Sequence, residues 1–296
     1  MFGMTFNDDA QLGGTTARRR GRGTMVAGGV GGVGVLGLVI VLINVFTGGQ
    51  LGGLLGLDGS GGDPQAGDTV IQDCETGADA NDRDDCRLVF GQKSIDAYWE
   101  QRVEGYRPAQ LIIVDQQTST QCGTASNATG PFYCPPEETI YVDPTFFALL
   151  GSQFDATVGP LAQLYVLAHE YGHHLQQLTG VFDRYPSNGS GPASNGVRTE
   201  LQADCYAGAW VAGAADQKDA NGVPYLKPPT AAQIRDALEA AATVGDDHIQ
   251  QETTGRIDPE RWTHGSSEQR QRWFTTGMND GPAACDAAFR VSGGDL

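Results

Sequence analysis

The stretch Leu161–Gly180, LAQLYVLAHEYGHHLQQLTG, decides how this 296-residue chain is read. Leu164, Leu167, Leu175 and Leu178 recur at three- and four-residue steps. Pro160 suits a first helical position and Gly180 a stop, so the spacing predicts one helix. On that helix His169 and His173 stand about 40° apart, on one face and one turn from each other. Two neutral imidazoles so placed can share one Zn²⁺, and Glu170 beside them can take a proton from water. This is the H-E-x-x-H arrangement of zinc-dependent hydrolases.

A second segment, Val197–Ala215 (VRTELQADCYAGAWVAGAA), also reads as a helix, with Glu200 and Asp204 four apart on one face. A catalytic zinc site wants three protein ligands and one open position, and Glu200 supplies the third. Asp204 can accept the other ring N–H of a ligand histidine. Ordinary surface histidines with a solvated glutamate would leave this second helix unexplained. The expectation is one Zn²⁺ per chain, held by His169, His173 and Glu200. His174, about 100° further round the helix, is not expected to be a ligand.

Several further blocks carry a resemblance. They are Cys122-Gly123, Gly130-Pro131-Phe132-Tyr133-Cys134-Pro135, Tyr141-Val142-Asp143 with Phe146-Phe147, and the HEYGHH motif itself. After these come Glu200–Gly208, Gly245-Asp246-Asp247, and Thr263–Ser267 with Gln269-Arg270. In content and order, from roughly Ser94 to Phe289, the chain resembles the neutral zinc metallopeptidases found mainly in bacteria. The resemblance implies an α+β, zincin-like fold, mainly helical, with a small β-sheet whose edge strand lies over the HExxH helix. It makes Thr139–Asp143 the candidate for that edge, where an extended peptide substrate would pair. It also implies peptidase activity, with Glu170 as the catalytic base. His264, within Thr263–Ser267, is the candidate donor to the developing oxyanion, and Tyr171 and Tyr206 are weaker candidates. A zinc-binding scaffold or adaptor without turnover, and a zinc amidohydrolase acting on cell-wall peptide, are the alternatives.

The net charge is −17, and residues 1–24 carry +2 of their own, leaving −19 on the remainder. So acidic a body excludes nucleic acid as the main partner. Met25–Phe46 runs 22 residues without a charge, about 33 Å as a helix and enough to span a bilayer core. Arg18–Arg22 precede it, which would place the N-terminus in the cytoplasm. The organisation expected is therefore a polar, disordered cytoplasmic segment (1–24), one transmembrane helix (25–46), a Gly-, Asp- and Ser-rich linker (47–68), and an extracytoplasmic metallopeptidase-like domain (69–296). Six cysteines, Cys74, Cys86, Cys122, Cys134, Cys205 and Cys285, fit disulfides in an oxidising compartment. Fifteen pairings are open, and sequential pairing is the one expected.

Overall fold

The computed structural model describes residues 5–21, 68–154 and 158–296. In chain order its strands are β1 (Arg18–Arg20), β2 (Thr69–Val70), β3 (Gln110–Val114), β4 (Gln117–Thr120), β5 (Gly123–Ser126), β6 (Phe132–Cys134) and β7 (Thr139–Val142). The helices are α1 (Gly77–Asp82), α2 (Asp84–Glu100), α3 (Thr145–Phe154), α4 (Pro160–Leu178), α5 (Val181–Arg184), α6 (Asn195–Gly213), α7 (Ala231–Thr243), α8 (Asp246–Thr254) and α9 (Ser267–Asp280). The protein is α+β and mainly helical, with a mixed sheet ordered β2-β1-β3-β7-β6 and a separate β4-β5 hairpin.

β3 and β7 read as unbroken apolar runs because both of their faces are covered. Leu111, Ile113, Ile140 and Val142 face the main core beside α4, while Ile112, Val114 and Tyr141 face a smaller core. The hairpin residue Ala125 and β6 residues Phe132 and Cys134 complete that smaller core. The cysteines pair as Cys74–Cys86, Cys122–Cys134 and Cys205–Cys285. The second of these ties the hairpin tip to β6.

The edge strand on the α4 side is β6, not Thr139–Asp143. β7 sits inside the sheet, parallel to β3 and antiparallel to β6. The middle of the Gly130–Pro135 block, Phe132–Cys134, forms that edge.

The N-terminal reading needs correction. Residues 5–21, expected to be disordered, are packed into the body. Phe6 is fully buried, edge-on to Phe90, and its N–H donates to Asn81 Oδ1 at 3.0 Å. Arg18–Arg20 insert between β2 and β3, antiparallel to the one and parallel to the other. Arg20 then takes both Asp68 oxygens, each at 2.8 Å. The chain therefore leaves residue 21 and returns at residue 68 on neighbouring strands of one sheet. Polar composition concealed this because the few apolar residues, Phe6, Ala10, Leu12 and Ala17, are the ones buried.

The expected span, Met25–Phe46, and residues 47–67 of the expected linker lie outside the described residues. Among the described residues no helix is long and apolar enough to cross a membrane. A single crossing with the N-terminus on one side and the body on the other is also at odds with β1 lying within the body's own sheet. The N-terminal membrane span, and the single-pass, extracytoplasmic localisation built on it, are not supported.

If the N-terminal strap is part of the folded body, Phe6→Ala leaves a core cavity and costs about 3–5 kcal/mol of unfolding free energy. Urea unfolding of the full chain measures this, and an unchanged midpoint would contradict the packing.

Candidate metal centre

α4 is the central helix of the fold, and its residues from Leu161 to Gln176 are almost all buried. It begins at Pro160 and ends before Gly180, whose φ of 72° only glycine adopts readily. Ser194 caps α6, accepting the Val197 N–H at 3.2 Å. The two helices cross where Gly172, inside the HEYGH motif, meets Ala203. A Cβ on Gly172 would stand 2.7 Å from Ala203 Cα and 2.9 Å from its Cβ. The missing side chain lets the backbones approach closely enough for nearby side chains of the two helices to meet.

His169, His173 and Glu200 are those side chains. One ligand atom from each lies within 4.8 Å of the others, and all three residues are buried. His169 Nε2 is 3.1 Å from Glu200 Oε2, and His173 Nε2 is 3.6 Å from Glu200 Oε1. The two rings are nearly perpendicular, with centroids 4.8 Å apart. Each ring's other nitrogen is held from behind. His169 Nδ1 is 2.8 Å from Asp204 Oδ1, and His173 Nδ1 is 2.9 Å from Gln176 Oε1. Carboxylate and amide oxygens only accept, so Asp204 and Gln176 each favour a proton on the Nδ1 they face, and both Nε2 atoms are turned toward Glu200.

Electrostatics make the same demand. Burial opposes a charged His169, yet the Asp204 and Glu200 carboxylates outweigh it and push the imidazole up to about 10. For His173, burial dominates and draws the ring down to about 4. Burial would raise Glu200, but the histidines around it hold it well below the usual carboxylate range. An anion facing two nitrogens, with a second anion behind one ring, calls for positive charge between them. The donor set, two imidazoles and one carboxylate, suits Zn²⁺. The other grouping of three potential ligands among the described residues, Cys74, Asp85 and Cys86, has its sulfurs joined in a disulfide.

Glu170 follows His169 and turns toward β6. Its Oε2 accepts the Tyr133 N–H at 2.9 Å. Burial, with the Glu200 charge nearby, raises the Glu170 carboxyl to about 7. The edge strand thus meets the motif helix through a backbone hydrogen bond. Tyr133 itself is anchored through its hydroxyl, which donates to Gln177 Oε1 at 2.7 Å and lies 3.0 Å from His174 Nδ1. His174 faces this side and the Arg107 carbonyl, away from the three-donor cluster.

His264 is buried on the turn before α9. Its Nδ1 is 3.2 Å from Asp246 Oδ1, and the Asp246 Oδ2 accepts the N–H groups of Thr263, His264 and Gly265. Burial opposes its charge, but Asp246 and the more distant Glu200 carboxylate raise the imidazole above its ordinary value. His264 therefore lies close enough to feel the Glu200 charge, outside the three-donor cluster. The other two oxyanion candidates are directed elsewhere. Tyr171 packs toward Asp96, and the Tyr206 ring stacks edge-on to Trp99.

Four residues that support the cluster had no role assigned from the sequence: Tyr165, Gln176, Asp246 and Arg270. Tyr165 and Gln176 carried a usable signal, standing four residues before His169 and three after His173 on α4. Asp246 and Arg270 carried none that reveals their partners, which lie 18 and 66 residues away.

Gly172→Ala tests the helix crossing. Alanine gains about 1 kcal/mol of helix propensity, while forcing a methyl onto backbone costs about 1–3 kcal/mol and separates the ligands. The collision is with Ala203 Cα, which no rotamer change relieves, so the expected outcome is lower stability and weaker zinc binding, partly recovered by adding Ala203→Gly. Thermal melts and zinc titration of the single and double variants check it; wild-type zinc affinity in Gly172→Ala would contradict the account.

Comparison with known proteins bears on the same residues. Residues 5–289 match the family described as "Putative neutral zinc metallopeptidase". That match reaches further toward the N-terminus than the blocks from Ser94 onward and takes in the packed strap. An uncharacterized protein of Mycobacterium tuberculosis, Rv2575, is 52% identical over 218 residues, covering 73% of this chain and 74% of its own. The uncharacterized protein Mb2605 of Mycobacterium bovis shows the same identity and coverage. The uncharacterized protein YpfJ of Escherichia coli K12 is 33% identical over 265 residues, 86% of this chain and 85% of its own. No solved structure matches the chain. With nearly its whole length matched, the chain belongs to the putative neutral zinc metallopeptidase family.

Proposed function

We propose that the chain is a zinc-dependent peptidase in which His169, His173 and Glu200 hold one Zn²⁺, Asp204 orients His169, and Glu170 is the general base. One observation carries this reading: three buried donors converge within 4.8 Å, with a fourth side chain, the Glu170 carboxylate, held by the sheet edge. When bound, Zn²⁺ supplies Lewis acidity and makes hydroxide available near neutral pH.

The chain's own groups do the rest. Glu170 takes the proton from the attacking water and later delivers it to the leaving amine. Its pKa suits both tasks, because a carboxyl raised to about 7 exchanges protons readily at neutral pH. The Tyr133 N–H fixes the direction in which its carboxylate faces. His264, held by Asp246, donates to the oxyanion as negative charge develops on the scissile carbonyl. The substrate is a peptide whose scissile carbonyl is brought between Glu170 and His264.

Glu170→Gln separates a peptidase from a zinc-binding scaffold. It keeps the shape of the side chain and leaves all three ligands in place. The expected outcome is about one zinc per chain with cleavage of a peptide library lowered on the order of 10²–10⁴-fold. Retention of wild-type cleavage would remove Glu170 from the mechanism. The wild-type pH profile provides a second check. A base acts as its anion, so kcat/KM falls as the pH drops through the Glu170 pKa. The acid limb is expected at or below about 7, because a bound dication draws that pKa downward. A rate that falls with rising pH across this range would contradict the assignment.

A further inference from the structure

Arg270 belongs to one of the sequence blocks that the metal reading leaves without a role. It is a buried cation, 4% exposed, on the first turn of α9. Its guanidinium grips Asp204 as a fork: Nε donates to Oδ2 at 2.8 Å and Nη2 to Oδ1 at 2.9 Å. Nη2 also lies 3.3 Å from the Tyr165 hydroxyl, which itself donates to Asp204 Oδ1 at 2.5 Å. With His169 Nδ1 added, Asp204 receives four donors on two oxygens. A carboxylate so saturated has one orientation, and a bidentate arginine is the partner that best enforces it.

The third corner of the same guanidinium points elsewhere. Nη1 donates to the Val244 carbonyl at 3.1 Å. Val244 closes α7 and stands two residues before Asp246, the carboxylate that holds the backbone and ring of His264. The helix that carries Arg270 has no freedom to drift. A Cβ on Gly277 would lie 1.8 Å from the Cys205 carbonyl oxygen, and one on Gly208 would lie 2.0 Å from the Phe274 carbonyl oxygen. α9 is therefore pressed backbone to backbone against α6, with Arg270 at its start.

We propose that Arg270 is a positioning residue that couples the two halves of the site, its one guanidinium fixing both the Asp204 carboxylate behind His169 and the Val244 carbonyl at the root of the turn that carries His264. Lysine cannot do this, because a single ammonium lacks the flat fork that reaches two carboxylate oxygens and a third acceptor at fixed angles. The role deepens the zinc peptidase reading and rests on it for its meaning, but its test reads zinc affinity and histidine environment, so loss of the proposal and loss of that reading remain separable.

The experiment compares the full chain, disulfides formed, as wild type, Arg270→Ala, Arg270→Lys, Asp204→Ala and the Arg270→Ala/Asp204→Ala pair. Zinc dissociation constants are taken by chelator competition, and imidazole signals by ¹⁵N NMR at constant pH. Arg270→Ala is expected to weaken zinc binding roughly 10–100-fold, as the loss of an outer-sphere partner does. The double variant should be no weaker than Asp204→Ala alone, because Arg270 acts through Asp204. Guanidinium ion added to Arg270→Ala should recover affinity, and added to the double variant should not. The His169 and His264 signals should both move while His174, on the other side of α4, stays in place.

Wild-type affinity in Arg270→Ala, or losses that multiply in the double variant, would overturn the proposal. So would movement of His169 without His264. If Arg270→Ala does not fold, Arg270→Lys carries the test through its zinc affinity and the same two signals, and wild-type values there overturn it. A wild-type chain that binds zinc yet cleaves no peptide defeats the peptidase reading and leaves the coupling intact. A folded wild type that refuses zinc defeats both.

Discussion

The site depends on how closely two helices can approach. α4 and α6 each carry part of the three-donor cluster, and its side chains would not meet at an ordinary interhelical distance. Gly172 and Ala203 remove the side chains that would keep the backbones apart, and His169, His173 and Glu200 then meet across the gap. The same device recurs at Gly208 and Gly277, where α6 meets α9. Three helices packed this tightly form a rigid frame, and rigidity matters because ligand atoms must be held to a few tenths of an ångström for productive chemistry.

Around that frame the charges are arranged so that each buried anion has a defined answer. Asp204 is matched by Arg270, Asp246 by the backbone N–H groups and ring of His264, and Glu170 by a single amide of β6. Glu200 faces the Nε2 atoms of His169 and His173, where the proposed Zn²⁺ would sit. Burying so many ionisable groups is costly unless each is paired. Glu170, held by a single backbone amide, has its carboxyl raised by burial to about 7, which suits the proton-transfer role proposed for it.

Much of this was legible in the sequence because helices write their geometry locally. The i, i+4 spacings of His169 with His173 and Glu200 with Asp204 fix which side chains share a face, and Gly180 marks where α4 stops. What remained hidden was set by distance along the chain. Nothing local in Arg270 points to Asp204, nor in Tyr133 to Glu170, because those pairings arise only when the sheet and α9 dock. Assigning the sheet edge to Thr139–Asp143 failed for a related reason: an apolar β-branched run reads equally well as an edge or an inner strand, and β6 is only three residues long. The N-terminal segment misled through composition. Average polarity said disorder, while four spaced apolar residues and the pairing of Arg18–Arg20 with β2 and β3 decided its place.

The central claim is that the crossing of α4 and α6 builds a three-ligand zinc site. Crystals of the full chain grown with zinc, with diffraction recorded on both sides of the zinc absorption edge, test it most directly. The account predicts one anomalous peak about 2.0–2.2 Å from Nε2 of His169, Nε2 of His173 and a carboxylate oxygen of Glu200, with a coordination position left open. A folded, zinc-supplied chain with no peak among these three residues would contradict it.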